Sequence, residues 1–157
     1  MLFRTFLESH LQPSTLVFLV QKEVAERIAR DRKESLLSLS IKVFGDPKYV
    51  ETIKKGNFTP SPKVDSAIIA IANISHAKLG KIEEIDFFTI LHAGFRAKRK
   101  QLLGNLTKHF PRETLLHTFS TLGLKEDVRG EDLTIESWLM LVSKLIIHNK
   151  TTGTPER

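Results

Sequence analysis

An α/β fold joined to a small all-helical domain is what this sequence predicts, and three observations carry that expectation. "TLVFLVQ" (Thr15–Gln21) is apolar at successive positions and runs straight into the amphipathic stretch "KEVAERIARD". "SAIIAIAN" supplies a second strand of the same kind, and everything after about Ser75 has helical rather than strand periodicity. A strand apolar on both faces is the pattern of a central parallel strand covered by helices, so a parallel arrangement is expected for Thr15–Gln21.

In chain order, "FRTFLESHL" (3–11) places Phe3, Phe6, Leu7 and Leu11 on one helical stripe, ended by Pro13 and Ser14. Within "KEVAERIARD", Val24, Ala25 and Ile28 should face inward, while Lys22–Glu26, Glu23–Arg27 and Glu26–Arg30 form i,i+4 pairs outside. "SLLSLSIKVFG" (Ser35–Gly45) fits helix or strand; helix is favoured because Leu36, Leu37, Ser40, Ile41 and Phe44 share a stripe that Gly45 can cap. "KYVETIKKG" offers a short strand before the proline-rich stretch. "HAKLGKIEE" is polar and reads as a linker. Ile85, Phe88, Leu91 and Phe95 then recur at helical spacing, followed by Leu102, Leu103, Leu106 and Phe110. Pro111 suits a first helical position and Gly123 a left-handed helix end with Leu124 folding back. Thr134 is a good N-cap for a helix bearing Trp138, Leu141, Val142 and Leu145. The expected organisation is residues 1–75, a linker at 76–83, a helical domain at 84–150 and a tail at 151–157.

Composition narrows the function. The 157 residues carry 24 Lys and Arg against 18 Asp and Glu, a net charge of +6 that favours a polyanionic partner, nucleic acid before a membrane surface. There is no cysteine, which removes disulfides and thiolate metal sites and fits a reducing, cytoplasmic setting. Arg4 and Glu8 spoil a signal-peptide core, and runs such as "LVFLV" are far shorter than the roughly 20 residues of a membrane helix. The glycines never form G-x-G or a G-K-[ST] loop, the histidines show no H-x-x-x-H pairing, and G-x-S-x-G is absent. No metal is expected.

Two constellations remain. In "NFTPSPKVDSA" (Asn57–Ala67), Pro60 and Pro62 fix their own φ and push Thr59 and Ser61 toward extended backbone, giving a stiff strap with Phe58 at its start. Phe58 then either plugs the core or presents an aromatic face for a flat ligand such as a base. In "FRAKRKQLLGNL", Arg96, Lys98, Arg99 and Lys100 put four cations in five residues without an acid, either a solvated face or a phosphate-binding one.

"LVFLVQKEVAERI", "NFTPSPKVDSAII" and "AGFRAKRKQLLGNL", in this order and spacing, resemble the ribosomal RNA adenine N6-dimethyltransferases, and "LGLKEDVRGEDLTIESWLML" resembles the closing helices of that family. The resemblance spans about residues 1–148. It implies a partial Rossmann-like methyltransferase sheet at 1–75 followed by a helical RNA-binding domain, S-adenosylmethionine as cofactor, and small-subunit ribosomal RNA or the pre-ribosomal small subunit as partner. Phe58, Pro60 and Pro62 would be the target-base clamp, and Lys63, Arg96, Lys98, Arg99 and Lys100 would contact RNA. The family's glycine-rich donor loop and its Asn-[Leu/Ile]-Pro-Tyr motif have no counterpart here, so no catalytic residue is expected in this chain. "MLFRTFLE" matches the helix after that motif, which reads as a fragment, inactive alone, with only the last three or so strands of the sheet. The alternative is a non-catalytic RNA-binding or assembly remnant.

Overall fold

The computed structural model describes residue 6, residues 13–97 and residues 99–152 of the chain. Two compact units divide it, Met1–Lys78 and Leu79–Arg157.

Among the described residues the first unit is a three-stranded sheet with helices on one face. β1 (Leu16–Gln21) leads without a loop into helix α1 (Lys22–Ala29), followed by α2 (Leu36–Lys42), β2 (Asp46–Ile53) and β3 (Ser66–Ala72). The strand order is β1-β3-β2, and both pairings are antiparallel: Phe18 lies opposite Ile69 in one ladder and Tyr49 opposite Ile69 in the other. The expected parallel, doubly covered β1 is therefore corrected. On the side of α1 and α2, Ala67, Ile69 and Ile71 are fully buried beside half-buried Leu16, Phe18 and Val20. On the other side Val17 and Leu19 are 63% and 53% exposed. Apolar residues at every strand position report hydrophobicity, and one face can lie uncovered when helices pack on the other. Phe6 is helical, with its ring centroid 6.3 Å from that of Phe18; the rest of the stripe expected over 3–11 lies outside the described residues.

Local chemistry explains the helices. Ser35 caps α2 reciprocally: its Oγ accepts from the Ser38 amide at 3.0 Å while its own amide donates to Ser38 Oγ at 2.7 Å. The buried set of α2 is Ser38, Leu39 and Ile41 rather than the expected stripe through Leu36, Leu37 and Ser40. Gly45 is not a helix cap. A Cβ there would meet Ile71 Cγ2 at 2.7 Å and the Ala72 carbonyl at 2.9 Å, so the position is glycine because β3 leaves no room. On α1 the Lys22–Glu26 and Glu23–Arg27 pairs form, whereas Arg30 lies over the Tyr49 ring, 3.6 Å from its centroid.

Among the described residues the second unit is all-helical: α3 (Glu84–Gly94), α4 (Leu102–Leu106), α5 (Arg112–Thr121) and α6 (Ile135–Thr152). Trp138, Leu141, Val142 and Leu145 are fully buried from α6, as their spacing predicts. The stripe expected on α3 loses only Ile85, since Phe88 and Leu91 are buried and Phe95 is half-buried. Ile85 is 74% exposed, while Phe87, Phe88, Ile90 and Leu91 are inside, because α3 packs against both α4 and α6. Pro111 occupies the N-cap of α5 rather than its first turn. Gly123 has φ +65°, and the Leu124 amide returns to the Phe119 carbonyl at 2.9 Å, the expected glycine-terminated helix end.

Candidate nucleic-acid interface

The strap between β2 and β3 is closed by hydrogen bonds that proline stiffness alone would not supply. After β2 a 3-10 turn, Lys55–Asn57, brings the Phe58 amide to the Lys55 carbonyl at 3.3 Å, and Phe58 itself is extended with φ −115° and ψ 147°. Ser61 Oγ donates to the same Lys55 carbonyl at 2.9 Å. Asp65 accepts from the Lys55 amide at 3.0 Å and from Lys54 Nζ at 3.2 Å, and those two donors, the amide foremost, hold its carboxyl below the usual carboxylate range. The Asp65 carbonyl in turn accepts from the Lys22 amide at 3.0 Å, which ties the strap to the β1–α1 junction.

Phe58 is half-buried, whereas Pro60, Pro62 and Lys63 are exposed; the Thr59–Pro60 peptide is cis. A ring sealed in the core would be buried like Phe44, at 1% exposure, and Phe58 is not. Beside the strap, at the head of α1, lies a cavity of about 420 Å³ whose wall includes Lys22, Lys55, Lys63 and Asp65.

The cation cluster falls in the loop between α3 and α4, in the second unit. Arg96, Arg99 and Lys100 are exposed; Lys98 lies outside the described residues. The loop is anchored from beneath. Asn105, 6% exposed, donates its amide to the Gly94 carbonyl at 2.6 Å and to the Ala97 carbonyl at 3.3 Å. Phe95 stacks on Trp138 with centroids 5.7 Å apart, and the Leu102 amide reaches the Val128 carbonyl at 2.8 Å. Gly94 must be glycine for this arrangement, since a Cβ there would stand 2.4 Å from Trp138 Cη2. Its flanks thus tied down, the loop directs its cations outward. Among the described residues, no carboxylate lies within ion-pair distance of Arg96, Arg99 or Lys100.

Phe58, Pro60, Pro62 and Lys63 therefore share one strap, while Arg96, Arg99 and Lys100 share one loop. Sequence reasoning passed over Asp65, Ser61, Lys55 and Asn105. No local sequence pattern marks any of the four, whose roles rest on contacts made on folding.

The family model for ribosomal RNA adenine dimethylase matches residues 1–146. The chain belongs to that family. It is 37% identical over 141 residues to ribosomal RNA small subunit methyltransferase A of Dehalococcoides mccartyi, covering 88% of this chain and 48% of that relative. With the protein of the same name from Bacillus thuringiensis it shares 33% identity over 150 residues, covering 90% and 51%. The chain spans about half the length of the curated relatives it matches. In fold it is similar to a dimethyladenosine transferase from Plasmodium falciparum, with a TM-score of 0.74, 22% identity and coverage of 95% of this chain and 62% of that one. The 23S rRNA methyltransferase ErmE follows with a TM-score of 0.68, 21% identity and coverage of 90% and 58%. These neighbours fit the Rossmann-like class expected for the first unit.

S-adenosylmethionine, the donor this family implies, finds no glycine-rich cradle among the described residues. A phosphate- or nucleoside-cradling glycine needs open backbone facing a ligand. The described glycines, Gly45, Gly56, Gly80, Gly94, Gly104, Gly123 and Gly130, are spread singly along the chain, so no described loop presents two of them together. Nor do the described residues bring together three His, Cys, Asp or Glu side chains able to hold a metal ion.

Proposed function

We propose that this chain is the base-clamping and RNA-gripping portion of an rRNA adenine N6,N6-dimethyltransferase that acts on adjacent adenines of small-subunit rRNA in the cytoplasm, within the pre-ribosomal small subunit. The observation that carries the reading is the half-buried Phe58 on a strap closed by Ser61, Asp65 and Lys55. Methyl transfer to an adenine amine needs the base out of its stack and its N6 in line with the donor methyl, because the amine lone pair is delocalised into the ring. An aromatic ring held in a fixed orientation meets that need. Pro60 and Pro62 stiffen its mount, Lys63 takes a nearby phosphate, and Arg96, Lys98, Arg99 and Lys100 hold the backbone of the RNA from the helical unit.

The methyl donor is S-adenosylmethionine, which the family uses; on this reading its binding residues lie in the part of the relatives that this chain does not match. The chain alone then neither binds the donor nor methylates RNA. Calorimetry with S-adenosylmethionine should give no heat of binding.

The clamp is tested with a short single-stranded RNA bearing the target adenine, followed by fluorescence anisotropy. Stacking is worth about 1–3 kcal/mol per base, so Phe58→Ala should raise Kd by roughly 5- to 150-fold. Replacing Arg96, Arg99 and Lys100 by alanine should flatten the log–log salt slope by about 2, at roughly 0.7 per phosphate contact. Unchanged affinity in Phe58→Ala would refute the clamp.

A further inference from the structure

The cavity at the head of α1 has an electrostatic composition that the clamp alone does not use. Its wall carries Lys22, Lys55, Lys63, Glu23, Glu26 and Asp65, which is formally neutral, but the carboxylates are already engaged. Glu23 pairs with Arg27, Glu26 with Lys22 at 3.8 Å, and Asp65 with Lys54 at 3.2 Å. Counting those partners, five cations face three carboxylates. The two left over are Lys55 and Lys63, neither of which has a carboxylate within ion-pair distance among the described residues.

Lys55 divides its chemistry between backbone and side chain. Its amide donates to Asp65, and its carbonyl accepts from both Ser61 and the Phe58 amide, so its Cα is held by three bonds. The ammonium takes no part in closing the strap. An ammonium with no carboxylate partner among the described residues, carried on a fixed backbone beside a cavity, is suited to an anion from outside. The first turn of α1 adds a smaller share: the Lys22 amide is taken by the Asp65 carbonyl at 3.0 Å, and with no side-chain cap from Gln21 the next amides of that turn face the cavity's edge without an intrahelical acceptor. The volume of about 420 Å³ falls in the range of about 300–1,000 Å³ typical of small-ligand sites.

We propose that this cavity is a phosphodiester subsite, in which Lys55 and Lys63 hold the RNA phosphate neighbouring the base stacked on Phe58. The proposal deepens the function argued above and rests on it. One 3-10 turn carries both the clamp and the Lys55 ammonium, through the Phe58 amide bond to the Lys55 carbonyl at 3.3 Å. A strand that places its base on Phe58 thereby delivers its neighbouring phosphate to the lysines. The two contacts act together: stacking orients the base, and the phosphate contact sets which nucleotide along the strand reaches the ring.

The experiment uses the chain as it is, a single-stranded RNA containing the target adenine, and the same RNA with an abasic site at that position. Lys55→Gln should flatten the log–log salt slope by about 0.7, and Lys55→Gln with Lys63→Gln by about 1.4, on both RNAs. Phe58→Ala should weaken the intact RNA and leave the abasic one unchanged. Failure of Phe58→Ala to discriminate the two RNAs would count against the clamp while leaving the lysine slopes readable. Adenosine 5′-monophosphate provides a direct probe by NMR titration, with Gly56 and Val64 amide shifts expected in the wild-type chain and lost in the double glutamine variant. Unaltered salt slopes on both RNAs, or no shift at Gly56 and Val64, would overturn the subsite.

Discussion

Replacing Asn105 with leucine removes the two N–H donors that hold the basic loop while keeping the number and branching of side-chain heavy atoms. The Asn105 amide reaches the Gly94 carbonyl at 2.6 Å, at the last turn of α3, and the Ala97 carbonyl at 3.3 Å, inside the loop itself. Carbonyls at a helix end have no intrahelical donor, so the substitution strands the Gly94 oxygen in a buried setting. That desolvation penalty is about 1–3 kcal/mol, and the longer contact to Ala97 adds the smaller share. With a urea m-value of about 1–3 kcal/mol/M, a loss of about 2 kcal/mol lowers the unfolding midpoint by roughly 1 M. Urea denaturation followed by tryptophan fluorescence suits the measurement, because the chain's one tryptophan, Trp138, is fully buried behind Phe95 on the same loop. RNA affinity should fall in parallel, since Arg96, Arg99 and Lys100 would no longer be presented by a single loop conformation. A midpoint within about 0.2 M of wild type would show that Asn105 is dispensable to the loop and refute this account of how its cations are displayed.

Two further outcomes follow from the packing. Lys78 donates to the Lys42 carbonyl at 2.8 Å, the Gly45 carbonyl at 3.2 Å and the Asp46 carboxylate at 2.7 Å, closing the end of α2; Lys78→Met should cost about 1 kcal/mol in urea unfolding after allowance for solvent screening. The Lys78 hydrogen bond, followed by that of Asn73, holds Asp46 below its ordinary carboxylate value, so its contribution to stability is complete above about pH 4 and is lost as pH falls through the lowered folded-state value. A pH series from about 6 to 2 should show that acid-dependent segment shrink in Lys78→Met, and an identical pH profile would contradict the assignment. Gly94→Ala sets about 0.5–1 kcal/mol of helix gain against a Cβ placed 2.4 Å from Trp138 Cη2 and 2.8 Å from Leu102 Cδ1. Overpacking of about 1–3 kcal/mol should win, giving a destabilised chain with altered near-ultraviolet circular dichroism; a more stable variant would mean that Trp138 can shift at little cost.

Much of this protein was legible before any coordinates. The junction at Gln21–Lys22, the helix end at Gly123, the apolar face from Trp138 to Leu145 and the proline strap are local features, written in propensity, periodicity and backbone restriction over a few residues. The cation cluster was equally visible, because charge on consecutive residues needs no folding to be read. Its exposure on a loop follows from the break between two apolar-periodic stretches. Other features depend on partners far away in the chain. Strand direction is one: "LVFLVQ" is equally apolar in a parallel or an antiparallel neighbourhood, and only the insertion of β3 between β1 and β2 made both ladders antiparallel. The exposure of Ile85 in place of Phe87 depends on where α4 and α6 approach α3. Gly45 and Gly94 look like ordinary helix punctuation in sequence, yet they are glycines because Ile71 and Trp138 occupy the space a methyl would need. Asp65 and Asn105 had no distinguishing pattern, since a polar residue reveals its role only when folding brings the amides or carbonyls it must satisfy within 3 Å or so. Periodicity and stiffness act along the chain and survive in its linear order, whereas packing space and hydrogen-bond complementarity act across it and exist only once distant segments meet.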